Sequence, residues 1–157
     1  MKIIKYTGSG ETARAVVTRA KDNYDLAKIS HPILQEYAIR CKADFIVINE
    51  EKINLGDYSY EILQCFDLFD TYDRILVIDS DVLITPSCPD LFDVVPYDSI
   101  GTIYEDKYTR AASRKYLIKK VQHKWGDVGW TEGYINTGVF LTSKMHRDIF
   151  QLRKDYF

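Results

Sequence analysis

Arg74-Ile75-Leu76-Val77-Ile78-Asp79-Ser80-Asp81-Val82-Leu83-Ile84 (RILVIDSDVLI, 74–84) is the strongest strand signal in the chain. Four consecutive apolar residues rich in β-branched types read as a buried strand. Asp79 and Asp81 follow it, separated by one residue. On an extended chain, side chains two apart point to the same side, with Cα atoms about 6–7 Å apart. Both carboxylates are ionised at neutral pH and repel each other, which is costly unless a cation or backbone donors offset it. Hard oxygen ligands of this kind suit Mg²⁺ or Mn²⁺, whose shells are completed by substrate phosphates and water. Such a metal would act as a Lewis acid on a diphosphate leaving group. The alternative is a solvated strand-end turn in which the aspartates cap backbone amides. The second apolar run, Val82-Leu83-Ile84, favours the metal reading, because it sends the chain out to a ligand edge and straight back to the core.

Working outward, AVVTRA (15–20) and Phe45–Ile48 read as two further buried strands, and what precedes the turn-like TGSGE (7–11) as a short extra strand or a mobile end. Leu26–Arg40 has apolar residues at helical spacing, with Pro32 expected to kink or interrupt it. Tyr60–Phe69 reads as a helix, 87–95 as a loop with one helical turn, 99–106 as a strand and 108–124 as a basic helix. YINTGVFLT (134–142) is another strand, and Lys144–Tyr156 a closing helix. Strands alternating with helices predict a single α/β domain over 1–157 with a mainly parallel sheet covered by helices. Ligands of such sheets bind beyond the carboxyl ends of the strands, where Asp79 and Asp81 fall.

With 157 residues, 46% of them hydrophobic, the chain can bury one sizeable core. A net charge of −2 offers no basic surplus for nucleic acid. Cys41, Cys65 and Cys88 form no CxxC pair and read as reduced thiols. No apolar run reaches a membrane span and no signal peptide opens the chain, so a cytoplasmic protein is expected.

Three segments, AVVTRAKDNY (15–24), YDRILVIDSDVLI (72–84) and YINTGVFLT (134–142), lie in the order found in family 8 glycosyltransferases, the group that includes glycogenin and lipopolysaccharide galactosyltransferases. The chain resembles that family over nearly its whole length. The resemblance implies the GT-A fold and a DxD motif whose Asp79 and Asp81 bind Mn²⁺ or Mg²⁺, with Asp79 also near the ribose. It implies that Ser80 lies in the cofactor-binding stretch. It implies that Thr18, Ala20, Asp22, Asn23 and Tyr24 form the nucleotide-base loop, and that Asn136 and Gly138 face the donor sugar. From the residues alone, Asn136 also reads as a polar strand interruption, Asp22-Asn23 as a simple turn and Tyr24 as a core aromatic.

The implied activity is metal-dependent transfer of a hexose from a nucleotide diphosphate sugar, a UDP-sugar, to an unknown glycan, lipid or protein acceptor with retention. The alternatives are a catalytically weak or inactive nucleotide-sugar-binding module and, disfavoured by the Asn-x-Gly strand, a nucleotidyltransferase-like protein. Two departures accompany the resemblance. The helix before the acidic strand, YEILQCFDLF, lacks the family's basic residue for the diphosphate. The family's third metal ligand, a histidine, falls beyond Phe157, so either a chain truncated at its C-terminus or a minimal natural version lacking the acceptor half is expected; His146 lies too close to the Asn-x-Gly strand to take that role. Arg19 and the basic stretch Lys107–Lys120 are the substitute phosphate contacts, the latter otherwise a solvated helix face. Glu105 and Asp106 read either as contacts to sugar hydroxyls or as a solvated strand end. Trp125 and Trp130 read as an aromatic loop over a sugar or as a satellite hydrophobic cluster. His31, His123 and His146 form no cluster in sequence.

Overall fold

The computed structural model describes residues 1–8, 13–21, 24–53 and 55–152. The strands are β1 (Lys2–Ile4), β2 (Arg14–Arg19), β3 (Asp44–Ile48), β4 (Arg74–Ile78), β5 (Gly101–Tyr104) and β6 (Ile135–Ser143). The helices are α1 (Ala27–Arg40), α2 (Cys65–Leu68), α3 (Leu91–Val94) and α4 (Ala111–Trp125), with 3-10 segments at Tyr58–Gln64, Tyr108–Arg110 and Lys144–Phe150. The strands form one sheet in the order β1-β3-β2-β4-β6-β5. β3, β2 and β4 run parallel, whereas β1 pairs antiparallel with β3, and β6 antiparallel with both β4 and β5. The expected α/β architecture is present, and four of its six strands share one direction. The reversed strands follow from their connections: β1 is an edge strand laid back against β3, and β6 returns alongside β4.

All five residues of β3 and of β4 are buried, as continuous apolar runs are when a sheet is covered on both faces. Alternate residues feed two cores. Ala15, Val17, Ile75 and Val77 meet Phe69, Tyr72 and Phe150 on one face. Val16, Leu76 and Ile78 meet Leu34, Tyr37 and Phe92 on the other. Pro32 sits within α1 without ending it. In place of a closing helix over 144–156, a 3-10 segment ends at Phe150, and residues 153–157 lie outside those described. No helix among the described residues is long and apolar enough to cross a membrane.

Asp44 joins the N-terminal segment to this framework. Its side chain is only 2% exposed. Oδ2 accepts from Lys5 Nζ and from the Tyr72 hydroxyl, each at 2.7 Å, and Oδ1 accepts from the Tyr6 amide at 2.7 Å. Burial pushes the Asp44 carboxyl upward, but these donors outweigh it and hold the group below the usual range. A depressed folded-state pKa means stability that is complete above the unfolded value of about 3.9 and is lost as pH falls through the folded one. Asp44→Ala should therefore cost about 1–3 kcal/mol at neutral pH, chiefly by stranding the Tyr72 hydroxyl and the Tyr6 amide. The deficit relative to wild type should narrow at about pH 3, and urea unfolding at the two pH values measures it.

Candidate functional site

β2 crosses through α1 to β3 on one side, while β4 lies on the other side of β2. Strand order thus switches between β2 and β4, and the crevice beyond their carboxyl ends is where open α/β sheets bind ligands. Arg19 and Ala20 leave β2 there, and Asp79 to Asp81 leave β4. Antiparallel β6 brings its first residues to the same end, with the Asp79 amide donating to the Gly138 carbonyl at 2.8 Å.

The acidic pair is displayed by a turn rather than on the extended chain assumed for two carboxylates one residue apart. β4 stops at Ile78, and the Val82 amide closes back on the Asp79 carbonyl at 3.0 Å. The physical reason is Ser80, 4% exposed, whose side chain points inward. Its hydroxyl donates to the Arg19 carbonyl at 2.8 Å. Its lone pairs then take the Thr18 hydroxyl at 2.9 Å and His31 Nε2 at 3.1 Å, which requires the tautomer protonated at that nitrogen. The Ser30 hydroxyl donates to the Ser80 carbonyl at 2.6 Å. With position 80 tied to β2 and α1, positions 79 and 81 face the crevice. Val82 and Ile84 pack against the core, which is the return expected of the second apolar run.

Asp79 stands where two pockets meet. The first, about 370 Å³, is lined by Arg19, Ala20, Lys21, Tyr24, Tyr58, Ser59 and all three residues of the Asp-Ser-Asp turn. The second, about 450 Å³, is lined by Asp79, Glu105, Arg114, Trp130, Tyr134 and residues 135–138. Gly138 makes the junction possible, because a Cβ there would stand 2.7 Å from Asp79 Oδ2 and 2.9 Å from Asn136 Oδ1. The other oxygen, Asp79 Oδ1, is ion-paired with Arg19, whose guanidinium also donates to the Ser59 carbonyl. Asp81 is exposed, and no hydrogen bond or ion pair reaches its carboxylate among the described residues.

In the second pocket Asn136 Nδ2 donates to Glu105 Oε1 at 2.5 Å, and Asn136 Oδ1 accepts the Gly138 amide at 2.6 Å. Arg110 and Arg114 both pair with Glu105. The bond from Asn136, with the two arginines, holds the Glu105 carboxyl below its ordinary range despite partial burial. Trp130 stacks on Tyr134 with ring centroids 5.6 Å apart, and Arg114 lies over the Tyr134 ring.

Several residues singled out by sequence fall elsewhere. Thr18 is fully buried with its hydroxyl on Ser80, and Asp22 and Asn23 lie outside the described residues. Asp106 accepts the Gly133 amide at 2.7 Å and anchors the following loop rather than lining the pocket. Of the two tryptophans Trp130 lines the second pocket, whereas Trp125 is half exposed beneath Lys124. Lys107, Lys115, Lys119 and Lys120 are exposed, so the basic stretch contributes Arg110 and Arg114 alone to this region. His31 sits under the turn, and His146 Nδ1 accepts the Ser143 amide in a cap. Burial pushes the Cys41 and Cys65 thiols up to about 12, the behaviour of core residues. Tyr58 and Ser59 are not marked by any pattern in the sequence, and Tyr134 reads there only as the first residue of a strand; the Asp57 carboxylate accepts the Ser59 amide.

Among the described residues no group of three or more His, Cys, Asp or Glu side chains converges as metal ligands. Two hard carboxylates at an open crevice fit a cation that fills its remaining positions with water and phosphate oxygens, not a closed protein cage.

No protein-family model and no curated protein sequence matches the chain. Among solved structures it is similar to "crystal structure of a glycosyltransferase involved in the glycosylation of the major capsid of PBCV-1", with a TM-score of 0.56 and 17% identity. The match covers 87% of this chain, which spans 63% of the length of that one. The six-stranded α/β domain described above thus has the fold of a solved glycosyltransferase structure.

Proposed function

We propose that the chain is a nucleotide-sugar-binding domain of a family 8-like glycosyltransferase, moving a hexose from a UDP-sugar to an unknown glycan, lipid or protein acceptor with retention. The observation that carries this reading is the position of Asp79, shared between a pocket of nucleotide size and a second pocket lined by sugar-binding chemistry. Tyr24 and Tyr58 line the first pocket as aromatic partners for a base, Tyr58 with Lys21 over its ring, and Arg19 would offer a guanidinium to phosphate oxygens there. In the second, ionised Glu105 and the Asn136 amide it orients would accept and donate to sugar hydroxyls, with Trp130 as an apolar platform. A Mn²⁺ or Mg²⁺ on Asp79 and Asp81 would supply a Lewis acid to the leaving diphosphate. The fold likeness and the three sequence segments support the same reading.

The second reading, a donor-binding module without transfer, is favoured by the lack of a third ligating side chain among the described residues. Calorimetric titration with UDP, with and without Mn²⁺, tests the site common to both readings. Mn²⁺ should tighten UDP at least about tenfold, and equal affinity in the two conditions would sink the metal-site assignment. Following UDP release from UDP-sugars then separates transferase from binding module.

A further inference from the structure

Neither pocket uses most of the basic stretch after β5. Residues 107–126 hold seven of the chain's 21 Lys and Arg residues and none of its 23 Asp and Glu. Among the described residues only Arg110 and Arg114 of that stretch turn to an acid, both at Glu105 in the second pocket. α4 is fastened to the domain by buried Ile118 and by Gln122, which donates to the Trp130 carbonyl. Lys115 with Lys119, and Tyr116 with Lys120, are four residues apart, the spacing that stacks side chains along one side of a helix. All four are exposed, and no hydrogen bond or ion pair reaches the three lysines among the described residues. Aromatic residues are interleaved with this charge: Tyr108 is 96% exposed, Tyr116 65%, and Trp125 is half exposed under Lys124. Gly126 ends the helix, and half-exposed Val128 follows it.

We propose that the outward face of α4 docks the protein on an anionic lipid bilayer, with Lys115, Lys119 and Lys120 over the lipid phosphates and Trp125 and Val128 seated at the headgroup boundary. A helix that offers water an unpaired basic side with exposed aromatic residues along it is suited to that interface. The charge serves one local plane. With the whole chain at −2, everything outside residues 107–126 is net acidic and would repel a polyanion long enough to wrap past the helix. A nucleic-acid single strand tracks a groove with stacking platforms, whereas this face is the convex side of one helix about 22 Å long. An exposed aliphatic such as Val128 gains nothing from a phosphate backbone, but a bilayer buries it. Arg114 is on the same helix and lines the second pocket, so docking brings that pocket close to the headgroups. This goes beyond the donor-site reading and does not depend on it.

The test is sedimentation of the full chain with vesicles of phosphatidylcholine alone and with about 30% phosphatidylglycerol, alongside titrations with heparin and a single-stranded oligonucleotide. The protein should sediment with the anionic vesicles and stay in solution with the neutral ones. Raising salt from about 0.1 M to about 1 M, which shortens the Debye length from about 10 Å to about 3 Å, should weaken binding about tenfold or more. Anionic vesicles should shift the tryptophan emission to the blue, and Trp125→Phe should abolish the shift. Lys115→Gln/Lys119→Gln/Lys120→Gln should weaken vesicle binding on the order of 100-fold, about fivefold for each lysine, while Lys28→Gln/Lys52→Gln/Lys144→Gln should not. Equal binding to both vesicle types, or binding to neither, overturns the proposal. So does tight binding to heparin or the oligonucleotide with no blue shift on vesicles, which would make the partner a soluble polyanion. A control triple variant that loses as much as the α4 variant places the attraction elsewhere and overturns it too. None of these outcomes bears on UDP or Mn²⁺ binding, so the donor site stands or falls separately.

Discussion

Replacing Asp81 by Asn is expected to remove most of the gain that Mn²⁺ gives to UDP binding, a loss on the order of 100-fold, the upper end of what even indirect metal partners cost. Asp81 is the aspartate that presents an uncommitted carboxylate to the first pocket, since Asp79 is ion-paired with Arg19. The amide is nearly isosteric but lacks the charge, so a hard divalent cation loses half its protein ligand charge. The folded state should be little changed, because the Asp81 side chain is exposed and bonded to nothing described. UDP binding without Mn²⁺ should hold or improve, because one repulsive carboxylate has gone from beside the diphosphate. Titration of the variant with UDP in both conditions reads the effect. An undiminished Mn²⁺ gain would show that the cation, if bound, sits elsewhere.

Gly138→Ala should produce the second large effect, by displacement rather than by loss of a ligand. The added methyl would arrive 2.7 Å from Asp79 Oδ2 and 2.9 Å from Asn136 Oδ1, closer than such atoms approach. Both obstacles are short side chains that are already held: Asp79 by Arg19, and Asn136 by Glu105 and by the Gly138 amide. Relief therefore has to move the carboxylate in one pocket and the carboxamide in the other. Mn²⁺-dependent UDP affinity should fall about tenfold, and overpacking should cost about 1–3 kcal/mol in denaturant unfolding. A variant as stable and as tight-binding as wild type would mean that the turn and β6 can separate without cost.

Sequence alone determined the elements whose cause is local. β2, β3 and β4 are written as short apolar β-branched runs because strands buried on both faces need no alternation. α1 was legible from its 3.6-residue period, and the Asp-Ser-Asp location from carboxylates at the end of an apolar run. The reversed direction of β6 was not legible, because an apolar strand carries no mark of whether it pairs parallel or antiparallel. Nor was the turn at Asp79, which exists because a buried Ser80 hydroxyl finds three partners on β2 and α1, 49 to 62 residues away in sequence. The pairing of Arg19 with Asp79 spans 60 residues and that of Asn136 with Glu105 spans 31. Such contacts depend on sheet order, which only the packed tertiary structure decides: a carboxylate's partner is whichever cation the neighbouring strand happens to end on.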